Sequence, residues 1–555
     1  MKRNAGWLGR VAAGLIVLGG VLASFSIIIS PLSGGVTARA VGAGPRVLIE
    51  RDGTDGRPVW TLEGIKPEVL VGVADEATTA ELVTWGPVMA LPASAPTPEP
   101  TAIPTPTPTP EPTAATALPM AESIADFAHW EGIWRETIEA AGIGRRIDVT
   151  SEAELRAVFN DLRGGDWIVV HAGTYTNLSN GYKKPPGLSA ERPIVFDCRD
   201  ATFTSQTKLL GVPHAKIFGA KVRMEFGTGT AFRFDQGTHH VSLIGCRTYG
   251  VPAVLVSNQN STSSAQIGHF RFAYCHFQGP GAELGSLAGY VVAFSSGRAI
   301  GDDNVLEYCN LTEGWDGFST GESGGDRVPL DKGLIIRGNR IWRCADDGIQ
   351  AEGNHGETLI SRNVIGGTRG ILQCALALAP GGPGPFRVTE NSFAGYRVTG
   401  VKVNTEADGA TVLIILERCQ LRMPIDQSDP LKTPARPYYF ALYFSGGTKL
   451  ARYEMHDCTV TGPQALLVTE AITLPAWGLS GNRWWSDGSG PWSPGTWWRL
   501  WDPAGNRNVY YKDYAAFAEA AGETGGSFGP VADEPGQVYA DVPIEELADY
   551  RVSGN

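Results

Sequence analysis

Charge is scarce in this 555-residue chain, at 19% of residues against about 25% in average globular proteins. What charge there is leans negative, with a formal net of −12, and no Lys/Arg stripe offsets it. Such a chain repels a phosphate backbone, so nucleic acid is not an expected ligand. The eight cysteines and nine histidines form no C-x-x-C pair and no His/Cys ligand spacing, so no metal site is read from the sequence. The Gly381-Gly382-Pro383-Gly384 run has no P-loop lysine after it, which removes a phosphate cradle.

What the chain has in excess is glycine, 70 residues, about 13% against a usual ~7%. This composition suits many short strands joined by tight turns. The N-terminus carries Lys2, Arg3 and Arg10 ahead of an apolar run from Val11 to Ser30. About 20 apolar residues can cross a bilayer with the basic flank inside, while Ala38-Arg39-Ala40 resembles a signal-peptide cleavage site. Residues 1–40 are therefore a membrane anchor or a signal peptide, and the remainder is expected outside the cell or at its surface.

Residues 41–92 read as a small accessory segment with strand signals at Val47–Glu50, Trp60–Leu62 and Val69–Val73. Residues 93–119 are rich in Pro and Thr, favour polyproline II and form a semi-rigid spacer. Over 120–144, Ile124, Phe127, Trp130, Ile133, Trp134 and Ile138 recur at helical spacing. A capping box at Ser151-Glu152-Ala153-Glu154 opens a second short helix.

From 145 to 500 a frame recurs: apolar, two residues, Cys or Asn, one residue, apolar. Its marked positions are Cys198, Ala220, Cys246, Cys275, Cys309, Asn339, Asn363, Asn391, Cys419, Cys458 and Asn482, at intervals of 22 to 39 residues. A repeat of this length is the signature of a solenoid. Coils about 4.8 Å apart would stack equivalent residues into columns, in which Asn bonds its neighbours and Cys fills the same slot as a small buried group. The expected fold is all-β, a right-handed parallel β-helix of about eleven coils with N-terminal capping helices. Six of the eight cysteines fall on this ladder, which favours buried thiols; one disulfide among Cys246, Cys275 and Cys309 is the alternative. Residues 501–555 form a C-terminal capping segment. The preceding tryptophans, Trp484, Trp485, Trp492, Trp497, Trp498 and Trp501, read as a hydrophobic lid on the last coil or as a sugar-stacking surface.

The opening Gly164-Gly165-Asp166-Trp167, followed by an apolar strand and Gly173-Thr174-Tyr175, resembles the start of pectate-lyase-like β-helix proteins. Within the repeats, Asp316 of Trp315-Asp316-Gly317, Asp347 of Asp346-Asp347-Gly348 and Arg369 of Thr368-Arg369-Gly370 hold equivalent places on successive coils, and Lys402 continues the series. Asp302, Asp303, Glu322, Asp326, Glu352 and His355 lie around them. The order of Asp, Asp-Asp and a terminal Lys resembles polygalacturonase-type glycoside hydrolases, which line their cleft with Asn-Thr-Asp, Asp-Asp, Gly-His-Gly and Arg-Ile-Lys motifs. Here Trp315 stands for the Thr, Thr368-Arg369-Gly370 for Gly-His-Gly, and Gly400-Val401-Lys402 lacks the Arg.

That resemblance implies a polysaccharide substrate. Asp316, Asp346 and Asp347 would be the acid–base carboxylates, and Arg369, Lys402, Glu352 and His355 would contact sugar. No cofactor is needed by a hydrolase. A second reading is a lyase, in which Ca²⁺ on these carboxylates acidifies the proton beside a uronate carboxyl and Arg369 or Lys402 removes it. A third is a non-catalytic adhesin, held off a membrane by the spacer. Asp-Gly is also a favoured turn dipeptide, so a turn repeated at the coil period gives the same column. His355 and the His239-His240 pair are equally compatible with solvated loop residues.

Overall fold

The computed structural model describes residues 26–32, 35–41, 46–51, 58–63, 127–140, 144–179, 185–235, 237–257, 267–294, 300–320, 333–352, 356–371, 374–379, 384–396, 398–405, 412–422, 440–446, 451–462, 466–470, 478–486, 497–502 and 505–530. Residues 1–25, the 93–119 spacer, Val69–Val73, Glu322, Asp326, His355, the 380–383 glycine loop and Trp492 lie outside them. The chain divides into two units, residues 1–111 and 112–555.

In the first unit, Ser26–Leu32 pairs antiparallel with Gly35–Val41, and Arg46–Arg51 pairs antiparallel with Pro58–Glu63. The last five residues of the apolar run, Ser26 to Ser30, thus lie in a strand. Among the described residues no helix is long and apolar enough to cross a membrane.

The second unit is a parallel β-helix. Among its described residues run three sheets, here A, B and C in the order each coil visits them. Sheet A has thirteen strands, from Arg145–Val149 to Gly478–Ser480; sheet B has thirteen, from Gly173–Tyr175 to Ser527–Phe528; sheet C has twelve, ending in an antiparallel pair of Trp498–Asp502 with Arg507–Tyr511. The eleven ladder positions each follow one sheet A strand, and two more strands, Arg145–Val149 and Asp166–Val170, extend that sheet at the N-terminal end.

Most strands have only three to five residues, because the coil must turn again as soon as one or two side chains have entered the core. Those side chains stack in register. In sheet A the inward column includes Phe196, Ile217, Leu243, Phe272, Leu306 and Ile336. In sheet B it includes Phe277, Leu311, Ile341 and Ile365. All are buried, and each contributes about 1.5–3 kcal/mol of hydrophobic stabilisation.

The corner between sheets A and B explains the repeat. The residue before ten of the ladder positions is left-handed, with φ from 51° to 67°: Gly219, Gly245, Tyr274, Tyr308, Gly338, Arg362, Glu390, Arg418, Asp457 and Gly481. That kink turns the chain and aims the next side chain inward. Within the ladder, Asn363 Oδ1 accepts the Asn339 N–H at 2.9 Å, and Asn363 Nδ2 donates to the Ile336 carbonyl at 2.9 Å. Cys275 N–H donates to Cys309 Sγ at 3.4 Å, and Cys309 N–H donates to Asn339 Oδ1 at 2.9 Å. All eight cysteines are free and buried; Cys246, Cys275 and Cys309 donate their thiols to carbonyls of the preceding coil.

Both ends are covered. Helix α1, Phe127–Ala140, does not sit on the end as a cap. It lies on the outer face of sheet A, where Ile133, Trp134 and Ile138 pack on Val195, Phe218 and Ile244, with the Arg199 guanidinium 3.9 Å from the Trp134 ring centre. Helix α2, Glu152–Val158, carries Leu155 into the core, and Phe159 just beyond it stacks on Phe196. Its N-cap Ser151 accepts the Glu154 N–H, while the Glu154 carboxylate reaches back to Thr150. At the other end Trp484 and Trp498 are fully buried. Trp498 stacks at 4.6 Å on Phe517 of helix α3, Tyr514–Ala521, so these tryptophans form the hydrophobic lid.

Candidate active site

The carboxylates lie at the corner between sheets B and C. Gly314 of one coil pairs with Cys344 of the next, and Phe318 pairs with Ile349. Three residues span the first corner, Trp315 to Gly317, and four span the second, Ala345 to Gly348. The second corner therefore holds one extra residue, which breaks the backbone ladder locally. The Asp316 carbonyl is already taken by the Val291 N–H. The Asp316 carboxylate fills the gap by accepting the Asp347 N–H at 2.9 Å. One coil further, the Asp347 carboxylate accepts the Cys374 N–H at 3.2 Å.

These bonds turn the two side chains inward. Asp316 is 0% exposed and Asp347 5%, so the two carboxyl groups do not face a shared open groove. Strand alternation runs the same way, because Ile349, two residues on from Asp347, faces the core. Burial first, and then Asp347 and Asp346, push the Asp316 carboxyl well above the ordinary range. Burial and Asp346 push Asp347 up to about 8. Asp346 is half-buried, and carboxylate oxygens of all three aspartates lie within 4.8 Å of one another. Such hard oxygen donors suit a calcium-like cation.

Lys402 sits on sheet C in register with Ala377 and Tyr443, one coil each way. Val401 and Val403 belong to the core, whereas Lys402 is half-buried on the opposite face. Burial pulls its ammonium down, but the Cys374 side chain and the Asp347, Glu352 and Asp346 carboxylates outweigh that and hold it above its ordinary value. On the same face Ser319 Oγ donates to Gln350 Oε1 at 2.7 Å, and Ser319 and Ala377 are buried, so this part of the face is walled.

Glu352 is buried, with its N–H donated to Thr320 Oγ1 at 2.8 Å. Arg369 lies on Val364–Ile371, a strand whose register breaks on both sides near it. The structure thus brings together Asp316, Asp346, Asp347, Glu352 and Lys402. Sequence reading missed Cys344, Cys374, Ser319 and Gln350. Cys344 and Cys374, the two cysteines off the ladder, adjoin the carboxylates and are pushed well above the ordinary thiol range by burial and then by Asp316 and Asp347, respectively. The visible signal was their exclusion from the repeat.

No protein-family model and no curated protein matches the chain. Among solved structures it is similar to an alginate lyase from Paenibacillus sp. str. FPU-7, with a TM-score of 0.34 and 13% identity over 57% of this chain and 95% of that one. It is also similar to the PL6 family alginate lyase AlyGC, with a TM-score of 0.22 and 10% identity over 61% and 76% of the two chains. The three-sheet topology itself defines the class, a parallel β-helix.

Proposed function

We propose that the protein is an enzyme of acidic polysaccharides that cleaves the glycosidic bond by β-elimination. The observation that carries this reading is Lys402, a half-buried cation on the outer face of sheet C, in register with Ala377 of the coil before it and close to the aspartate corner. Elimination beside a uronate carboxylate needs a fixed positive charge on that carboxylate, since negative charge builds there as the α-proton leaves. Lys402 supplies it. Asp347, pushed up to about 8, has the proton affinity that acid–base work near neutral pH requires, and Asp346 beside it is half-buried.

In balance, the α-C–H bond breaks and a C=C bond forms. The C–O bond to the leaving sugar breaks, and the abstracted proton ends on the leaving oxygen, so no water is consumed. Hydrolysis by an Asp316–Asp347 pair is less well supported, because Asp316 is closed to solvent and spends one carboxylate oxygen on the Asp347 N–H.

The basic, apolar N-terminus and the Pro/Thr-rich spacer support export, with the β-helix secreted or held at the cell surface; protease treatment of intact cells tests this. The test of the reaction is a panel of plant, algal and bacterial uronate polymers. Ultraviolet-absorbing unsaturated ends should appear, and Lys402→Gln should reduce their rate by about 10²–10³-fold. New reducing ends without that absorbance would instead mean hydrolysis, and binding without turnover would mean an adhesin.

A further inference from the structure

A second cluster lies at a different corner, where the chain leaves sheet C and re-enters sheet A. There His214, His240, His269 and Asp303 occupy the same left-handed position on four successive coils, with φ of 53°, 54°, 55° and 56°. On the next coil that place is taken by Gly333, the residue for which this conformation is free of steric cost. Histidine is among the non-glycine residues enriched at positive φ, so this turn accepts three histidines in a row and stacks their side chains.

The rings converge. His214 and His240 have centroids 4.7 Å apart, and His240 and His269 stack at 4.2 Å. His239, the neighbour of His240, places its Nδ1 2.8 Å from His240 Nδ1. One ring nitrogen from each of His214, His239 and His240 lies within 4.8 Å of the others. His214 and His239 are half-buried and His240 has an exposed edge, so an ion can reach the nitrogens from solvent.

Neutral imidazoles are the preferred donors of borderline divalent metals, with Zn–N near 2.0–2.1 Å. Tetrahedral coordination sets neighbouring ligand nitrogens about 3.3 Å apart, and the observed ring nitrogens lie within 4.8 Å of one another. We propose that His214, His239 and His240 form a binding site for a borderline divalent transition metal of the zinc type, with solvent completing its coordination. The ion clips two successive coils together near the N-terminal end, at a different corner from the carboxylate cluster.

The experiment titrates Co²⁺, as a spectroscopic substitute for Zn²⁺, into full-length protein stripped of metal. One equivalent should bind with the intense visible absorption of a four-coordinate nitrogen site. Zn²⁺ should displace it, and excess Ca²⁺ should not. His214→Asn, His239→Gln and His240→Asn should each weaken binding at least about tenfold; Asn suits the two left-handed positions because it tolerates positive φ. Where a variant does not fold, the wild type decides: Zn²⁺ should protect His214, His239 and His240, but not His456, from imidazole acylation mapped by mass spectrometry. Equal Co²⁺ binding by wild type and folded variants, displacement by Ca²⁺, or no protection at the three histidines would overturn the site.

Discussion

The Asp316 carboxylate accepts the backbone N–H of Asp347 from the next coil at 2.9 Å, so the two aspartates first singled out as an acid–base pair are joined through main chain rather than across a groove. The bond repeats one coil on, from Cys374 N–H to Asp347. A side chain thus does at this corner what the backbone ladder does along the strands, and the same side chains carry raised proton affinity beside Lys402.

Asp347 should make stability depend on pH. Its folded value, about 8, lies above the ordinary 3.8, so between these values the native state holds more protons than the unfolded chain. Stability therefore falls as pH rises through about 4 to about 8, by on the order of a few kcal/mol for the coupled pair. Asp347→Asn keeps an oxygen for the Cys374 N–H but does not titrate. Urea unfolding across this window should show a flatter pH profile for the variant; parallel profiles would refute a proton held there.

Removing a rung of the ladder should cost more than exchanging it. Asn363→Ala orphans the Asn339 N–H and the Ile336 carbonyl, partners of Asn363 at 2.9 Å each, at about 1–3 kcal/mol for each group left unsatisfied. Asn363→Cys, copying six native rungs, should lose less than half as much. Calorimetry ranks the two, and equal losses would contradict the ladder's energetic role.

Glu523 closes the ladder. Its Oε1 accepts the Asn482 N–H at 3.1 Å and Asn482 Nδ2 at 3.0 Å, and its Oε2 accepts Trp484 Nε1 at 3.3 Å. Glu523→Ala should let the last coil fray. Hydrogen exchange should quicken at the Asn482 amide and within α3 while amides around Asn339 stay protected. Glu523→Gln should fall much nearer to wild type, because its amide oxygen still accepts.

At Lys402 the charge should matter more than the shape. Lys402→Arg keeps a cation beside Asp347 and Glu352 and should retain a measurable fraction of turnover on a responsive uronate polymer, whereas Lys402→Gln should lose about 10²–10³-fold. Comparable kcat for both variants would show that the charge does not act in the reaction.

The legible part of this protein is the part governed by local rules repeated at a fixed spacing. A Cys or Asn two residues before an apolar one, recurring every 22 to 39 residues, marks a side chain that must enter the core after a tight corner, and Cys309, Asn339 and Asn363 stack as that spacing demanded. The tryptophan lid was legible for a similar reason, since a solenoid end exposes its core and something apolar must cover it.

Three features were decided only in three dimensions. One extra residue between Cys344 and Ile349 set the direction of Asp316 and Asp347, because only the register of neighbouring coils shows that a backbone donor lacks its usual acceptor there. The placement of α1 on the flank of sheet A followed from an apolar patch assembled by Val195, Phe218 and Ile244, residues far apart in sequence. His214, His239 and His240 carry no metal-ligand spacing in the chain, yet coil stacking brings His214 within ring contact of the other two. Sequence determined the period, and through it the columns. Which polar side chains meet within a column, and whether they face water, was decided by the tertiary structure, because a single inserted residue shifts every contact between one coil and the next.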